Sequence, residues 1–109
     1  MLVDLGPARG AEADKRRPVI VVSNDGANAW ADRDGRSMIT VVPVTSNTNV
    51  VHPFQVFLPA SSTGLNRDSK AQAEQVRSVD VDRVGRRVGS LAPELMQDLD
   101  EALRLHLVL

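Results

Sequence analysis

The chain contains no cysteine and only three aromatic residues, Trp30, Phe54 and Phe57, among 109. Lack of cysteine removes disulfides and thiolate chemistry and suits a reducing compartment, so the cytoplasm is the expected location. With so few aromatics, platforms on which nucleic-acid bases could stack are scarce. No apolar run approaches the roughly 20 residues needed to span a membrane. The opening Met1-Leu2-Val3-Asp4-Leu5 lacks the basic start and apolar core of a secretory signal.

Familiar reactive groupings are missing as well. The two histidines, His52 and His106, lie in unrelated segments, and no His/Asp/Glu set has metal-ligand spacing. His106 is expected on the rim of the core, and His52, ahead of Pro53, in an extended loop. No serine stands at a nucleophile elbow, and Gly6-Pro7-Ala8-Arg9-Gly10 fits no phosphate-binding fingerprint. Neither a metal nor an organic cofactor is expected.

Charge is present but unevenly spread. The net charge is −1, from 13 bases and 14 acids. Beyond Ser90 four acids (Glu94, Asp98, Asp100, Glu101) face one base, Arg104, which leaves twelve bases and ten acids before it. An excess of two cannot hold long duplex DNA, where affinity follows the number of phosphates neutralised. A site for a few phosphates is within reach, drawing on Lys15-Arg16-Arg17, Arg33, Arg36, Arg67, Lys70, Arg77, Arg83, Arg86 and Arg87.

Length and composition fit one domain, residues 1–109. Strands are expected over Met1–Leu5, Pro18–Ser23, Met38–Thr45 and Pro53–Leu58, each a short apolar or alternating run. Pro43 points to an edge or a bulge in its strand. Ser61–Asn66 reads as a turn, and a helical turn is expected around Asn28–Ala31. Ser69–Val79 is long without a cleanly apolar face, so it is expected to bend or change neighbours midway. Val81–Gly85 follows as a connection and Arg86–Gly89 as a last strand. Pro93–Leu107 is the one clear helix, with Pro93 in its first turn and Leu95, Met96, Leu99, Ala102, Leu103 and His106 on one face. The fold class is α+β, mainly β: a small, strongly bent antiparallel barrel closed by a C-terminal helix.

Arginine, hydroxyl and amide groups remain as candidate chemistry: Arg17 at the start of a strand, Thr45 at the end of another, and Gln75 and Arg77 within the long segment. Such a set suits phosphodiester cleavage when the substrate supplies its own nucleophile, as RNA does with the 2′-hydroxyl. A guanidinium offers forked donors to phosphoryl oxygens, and a threonine hydroxyl adds a neutral one. Taken singly, Arg17 reads more readily as a surface arginine and Thr45 as a strand-end hydroxyl, and Gln75 and Arg77 read also as solvated strand residues.

Their order and flanking sequence resemble the MazF/PemK family of toxin endoribonucleases. The resemblance is carried by Val3-Asp4-Leu5 with Pro7–Glu12, by Arg17-Pro18-Val19-Ile20-Val21-Val22-Ser23-Asn24-Asp25, by Val42-Pro43-Val44-Thr45-Ser46, by Pro53–Val56, and by Ala73-Glu74-Gln75-Val76-Arg77-Ser78-Val79. It implies an SH3-like barrel, of the kind CcdB and PemK toxins share, usually a homodimer, that cuts single-stranded RNA without metal by 2′-hydroxyl attack. It further implies Arg17 and Thr45 as the catalytic pair, with Glu12, Ser46, Gln75 and Arg77 on the substrate. The implied partner is a MazE-like antitoxin, and DNA would be bound only through the antitoxin complex. Family members carry more of the first strand than Met1-Leu2 supplies, so that strand is expected to be short. Two other readings stay open: a gyrase-binding toxin like CcdB, which the ending His106-Leu107-Val108-Leu109 does not favour, and an inactive antitoxin-binding relic.

Overall fold

The computed structural model describes residues 1–6, 17–23 and 38–109. Within them seven strands form one antiparallel sheet: β1 (Leu2–Leu5), β2 (Arg17–Val21), β3 (Met38–Thr45), β4 (Gln55–Leu58), β5 (Ser69–Gln72), β6 (Arg77–Asp80) and β7 (Val84–Gly89). A one-turn helix α1 (Ala60–Thr63) follows β4, and a long helix α2 (Pro93–Leu107) ends the chain. The spatial order is β4-β5-β3-β2-β1-β7, with β6 also paired to β3.

Strand alternation gives the central strands two buried faces. Leu2, Ile20, Val42 and Val44 point one way and join Val56, Leu58, Ala71, Ala73 and, from α2, Leu99 and Ala102. Val3, Leu5, Val19, Val21, Ile39, Val41 and Val79 form the other cluster, with Val81 and Val84 against it. Val79 and Val84 belong to β6 and β7, the two ends of the strand path β7-β1-β2-β3-β6. Because both ends reach one cluster, the path must curl on itself, and this second cluster is the barrel interior. Residues 81–83 make a 3₁₀ turn from β6 to β7. Gly6 fixes the corner: its N–H donates to the Arg83 carbonyl (2.8 Å) and its carbonyl accepts from Arg83 Nε (3.0 Å).

The long segment after residue 69 breaks midway, as its mixed faces predict. β5 pairs the C-terminal end of β3 (Val44 opposite Ala71), a 3₁₀ turn intervenes at Ala73–Gln75, and β6 pairs the N-terminal half (Val41 opposite Arg77). Pro43 stands between these two pairings, opposite Val19 on the other side. It is therefore tolerated in a central strand, where its sequence signature points to an edge or bulge, because the neighbouring strand changes beside it. His106 also departs from expectation. It is exposed in the last turn of α2, whose buried residues are Leu99 and Ala102. Ser61–Asn66 is built as a helical turn rather than a simple reversal. The Thr63 hydroxyl donates back to the Pro59 carbonyl one turn earlier (2.8 Å), and Gly64 in the left-handed region (φ 86°) ends the helix. The turn expected around Asn28–Ala31 lies outside the described residues.

One close crossing joins α1 to the barrel. A Cβ added to Gly89 would meet the Thr63 carbonyl oxygen at 1.9 Å, and one added to Gly64 would meet the Val88 carbonyl oxygen at 2.8 Å. The two backbones touch there with no room for a side chain. Gly89→Ala should cost about 3 kcal/mol through forced backbone displacement. Leu99→Ala should cost about 2–5 kcal/mol through a core cavity. Urea unfolding of both variants checks these values, and a Gly89→Ala protein as stable as the parent would show that the crossing is loose.

Candidate functional site

A cleft of about 830 Å³ opens at the rim of the barrel, where β2 begins and β3 ends. Three walls enclose it: Arg17, Pro18, Val44, Thr45 and Ser46 from β2, β3 and the following loop; Gly64–Arg67 and Ser69 after α1; and Arg86–Val88 of β7 with Asp4 of β1. The α1–β7 crossing ties the second wall to the third.

Arg17 and Thr45 reach one rim through the β2–β3 ladder. Val19 faces Pro43 across β2 and β3. Beyond this paired stretch, which ends at Val19 and Pro43, Arg17 and Thr45 continue the two strands in the phase of Val19, Val21 and Val41. The two residues, 28 positions apart in the chain, line one cleft because β2 and β3, paired beside them, end at the same rim.

The Thr45 hydroxyl oxygen accepts the Asn47 N–H (3.2 Å), and Asn47 Oδ1 accepts the Asn49 N–H (3.2 Å). These local turns shape the loop that leaves β3. Since the Thr45 oxygen is the acceptor, its own hydrogen is left to donate into the cleft. Next along the row, Lys70 of β5 lies opposite Thr45. It is buried, and its Nζ donates to the Val50 carbonyl (2.6 Å), so the ammonium fastens the loop across β5. Further on, Gln55 accepts the His52 N–H through Oε1 (3.0 Å) and donates through Nε2 to Glu74 Oε2 (2.7 Å). His52 also stacks on Phe54 with ring centroids 5.1 Å apart, which gives it the loop-structural role its position implies.

Four arginines (Arg17, Arg67, Arg86, Arg87) and one carboxylate (Asp4) line the cleft, for a formal charge of +3. Among the described residues no ion pair neutralises these guanidiniums. Thr45, Ser46, Ser69 and Asn66 add neutral polar groups. Walls of this kind suit an anion with several acceptor oxygens, such as a phosphate.

Of the residues the sequence singles out, Arg17, Thr45 and Ser46 come together here. Gln75 and Arg77 do not line the cleft: Gln75 is exposed in the 3₁₀ turn, and Arg77 is exposed opposite Val41 at the start of β6. Glu12 lies outside the described residues. The wider pool of basic residues is also sorted by the fold. Lys70 and Arg83 spend their donors on the Val50 and Gly6 carbonyls, while Arg67, Arg86 and Arg87 face the cleft. Asp4, Asn66 and Ser69 carried no signal of function in the sequence, because only the folded strand order brings them to the rim.

A curled antiparallel barrel, backed by a C-terminal helix and notched at its rim by an arginine-lined cleft, defines a class of small β-barrel proteins with a cationic site. Comparison with known proteins narrows it. The family model for the PemK-like, MazF-like toxin of type II toxin–antitoxin systems matches residues 1–107. Endoribonuclease MazF9 of Mycobacterium tuberculosis is 59% identical over 105 residues, 96% of this chain and 89% of that protein. In fold the chain is similar to the Mycobacterium tuberculosis toxin MazF-mt6, with a TM-score of 0.78 at 22% identity, covering 99% of this chain and 96% of that one. It is also similar to MazF in the MazE–MazF crystal structure from Deinococcus radiodurans, with a TM-score of 0.74 at 26% identity, covering 97% and 89%. The chain belongs to the PemK-like, MazF-like toxin family.

The Lys70–Val50 bond yields a test of how the cleft's loop is held. Lys70→Met keeps the length of the side chain and removes a charged donor, a contribution of about 1.5–3 kcal/mol. Amide exchange over residues 47–51 should quicken by about tenfold or more, with little change in the β2–β3 ladder, as read by hydrogen exchange. Unchanged protection in that loop would show that Lys70 does not anchor it.

Proposed function

We propose that this chain is a toxin endoribonuclease that cuts single-stranded RNA at short sequences, in the cytoplasm, without a metal. The observation that carries the reading is that Arg17 and Thr45 line one arginine-rich cleft. The 59% identity to a named endoribonuclease over nearly the whole chain supports it.

In this reading the scissile phosphate lies between Arg17 and Thr45. The ribose 2′-oxygen attacks the adjacent phosphorus and the bond from phosphorus to the 5′-oxygen breaks. A cyclic phosphate and a free 5′-hydroxyl result. Negative charge grows on the non-bridging oxygens as the attack proceeds. The Arg17 guanidinium donates to those oxygens and to the departing 5′-oxygen, which gains a proton as the 2′-hydroxyl gives its own up to water. Thr45 donates its hydroxyl hydrogen to the same group, its oxygen being already oriented by Asn47. Ser46 is assigned to the neighbouring nucleotide. Gln75 and Arg77 are assigned to contacts with the strand outside the cleft, and Glu12, on the family resemblance alone, to the substrate.

The protein works as a homodimer restrained by a MazE-like antitoxin. The antitoxin rests on a relative solved as a MazE–MazF complex, and the homodimer on the family resemblance alone. The gyrase-binding alternative needs no cleft for a phosphate, and no observation favours it.

Purified protein should cleave a single-stranded RNA in EDTA. Arg17→Ala should lower kcat by about 100- to 1,000-fold, the usual effect of losing one preorganised donor. Thr45→Ala should act similarly, while Thr45→Ser retains most of the rate. Circular dichroism of each variant must match the parent. Cleavage by Arg17→Ala at the parental rate would reject the assignment of Arg17.

A further inference from the structure

The loop that leaves β3 at Thr45 and Ser46 is gripped at its far end by one buried side chain. Gln55, the first residue of β4, is buried and lies opposite Gln72 of β5. Its backbone N–H donates to the His52 carbonyl (2.8 Å), and its Oε1 accepts the His52 N–H (3.0 Å). Residue 52 is thus held by both of its backbone groups. Gln55 Nε2 in turn donates to Oε2 of Glu74 (2.7 Å), in the 3₁₀ turn between β5 and β6.

Chemistry dictates which way this amide points. A carboxylate only accepts, so the NH₂ must face Glu74 and the carbonyl oxygen must face the His52 N–H. A reversed amide would set oxygen against oxygen at Glu74 and donor against donor at His52. Glu74 Oε1 is buried and takes no hydrogen bond among the described residues, so losing the bond at Oε2 as well would be costly. From this clamp a run of bonds leads back to the cleft. Lys70 Nζ holds the Val50 carbonyl, Asn47 Oδ1 accepts the Asn49 N–H, and the Thr45 hydroxyl oxygen accepts the Asn47 N–H. Residues 46–54 belong to no strand or helix, so these bonds are what fixes their path.

We propose that Gln55 is a positioning residue of the cleft: anchored on Glu74, it fixes the β3–β4 loop in the seat that turns the Thr45 hydroxyl and Ser46 toward the substrate phosphate. This rests on the ribonuclease reading above and adds to it a residue that does not line the cleft. Preorganisation of the Thr45 donor is the property at stake, and a small misplacement of such a group is expensive in rate.

Gln55→Glu tests the clamp. It keeps the acceptor for His52 and sets a second carboxylate against Glu74. Two carboxylates in contact share a proton at a pH above the usual carboxylate range, and only the shared-proton form rebuilds the bond. Of the groups around the pair, Lys70 is committed to Val50, the His52 ring stacks on Phe54, and Asp98 and Glu101 of α2, which share a groove with Gln55, add only negative charge. At pH 8 the variant should lower kcat on single-stranded RNA by about 10- to 100-fold relative to the parent, with KM within about threefold. The deficit should shrink as the pH falls to about 5, where the shared proton returns. Combining Gln55→Glu with Glu74→Gln rebuilds both bonds with the roles exchanged, and should restore the parental rate at every pH. Amide exchange over residues 47–52 should quicken in Gln55→Glu at pH 8 and return to parental in the double variant, whether or not RNA is cut. A parent that cuts no RNA would defeat the ribonuclease reading, whereas unchanged loop exchange would overturn the clamp. Parental kcat in Gln55→Glu despite a loosened loop, or a double variant as slow as the single one, would equally overturn the positioning role.

Discussion

The β2–β3 ladder is the constraint on which the rest of the structure depends. Its register places Val19 opposite Pro43 and Val21 opposite Val41, and so decides which side chains enter the barrel. A slip of β2 by one residue would turn Val19 and Val21 out of the interior and turn Ile20 into it. The same slip would part Arg17 from Thr45. Selection for a packed core and selection for a paired site therefore act on one set of hydrogen bonds. The ladder lies between two clusters, so burial on both faces resists any shift.

Much of this fold is legible in the sequence, for identifiable reasons. Apolar β-branched runs mark β2 and β3 because both faces of those strands are buried, and Pro93 with the spacing of Leu95, Leu99 and Ala102 marks α2. The break between β5 and β6 shows as a segment with no apolar face, since its two halves serve different parts of β3. His106 misleads because helical spacing is continued beyond the last residue that α2 buries. Pro43 misleads because a rule about proline in sheets assumes a continuous neighbour on each side.

The site is only half legible. Arg17, Thr45 and Ser46 flank strands that the sequence reveals, and family resemblance gives them meaning. Arg67 and Arg86 belong to a large pool of basic residues that nothing in sequence order can divide. Whether an arginine faces a cleft or, like Arg83, donates to a distant backbone carbonyl depends on contacts made by residues far along the chain. Gln75 and Arg77 sit close to the site in the order of motifs, yet the strand that carries Arg77 pairs with the opposite half of β3.

The touching backbones at Gly64 and Gly89 carry a consequence for how such a toxin can diversify. Width between two walls of the cleft is set by main-chain atoms in contact, with no side chain acting as a spacer. Exposed residues that line the gap, such as Asn66, can therefore be exchanged without widening or closing it. Paralogues could acquire new cutting preferences by altering what lines the notch while inheriting its dimensions intact.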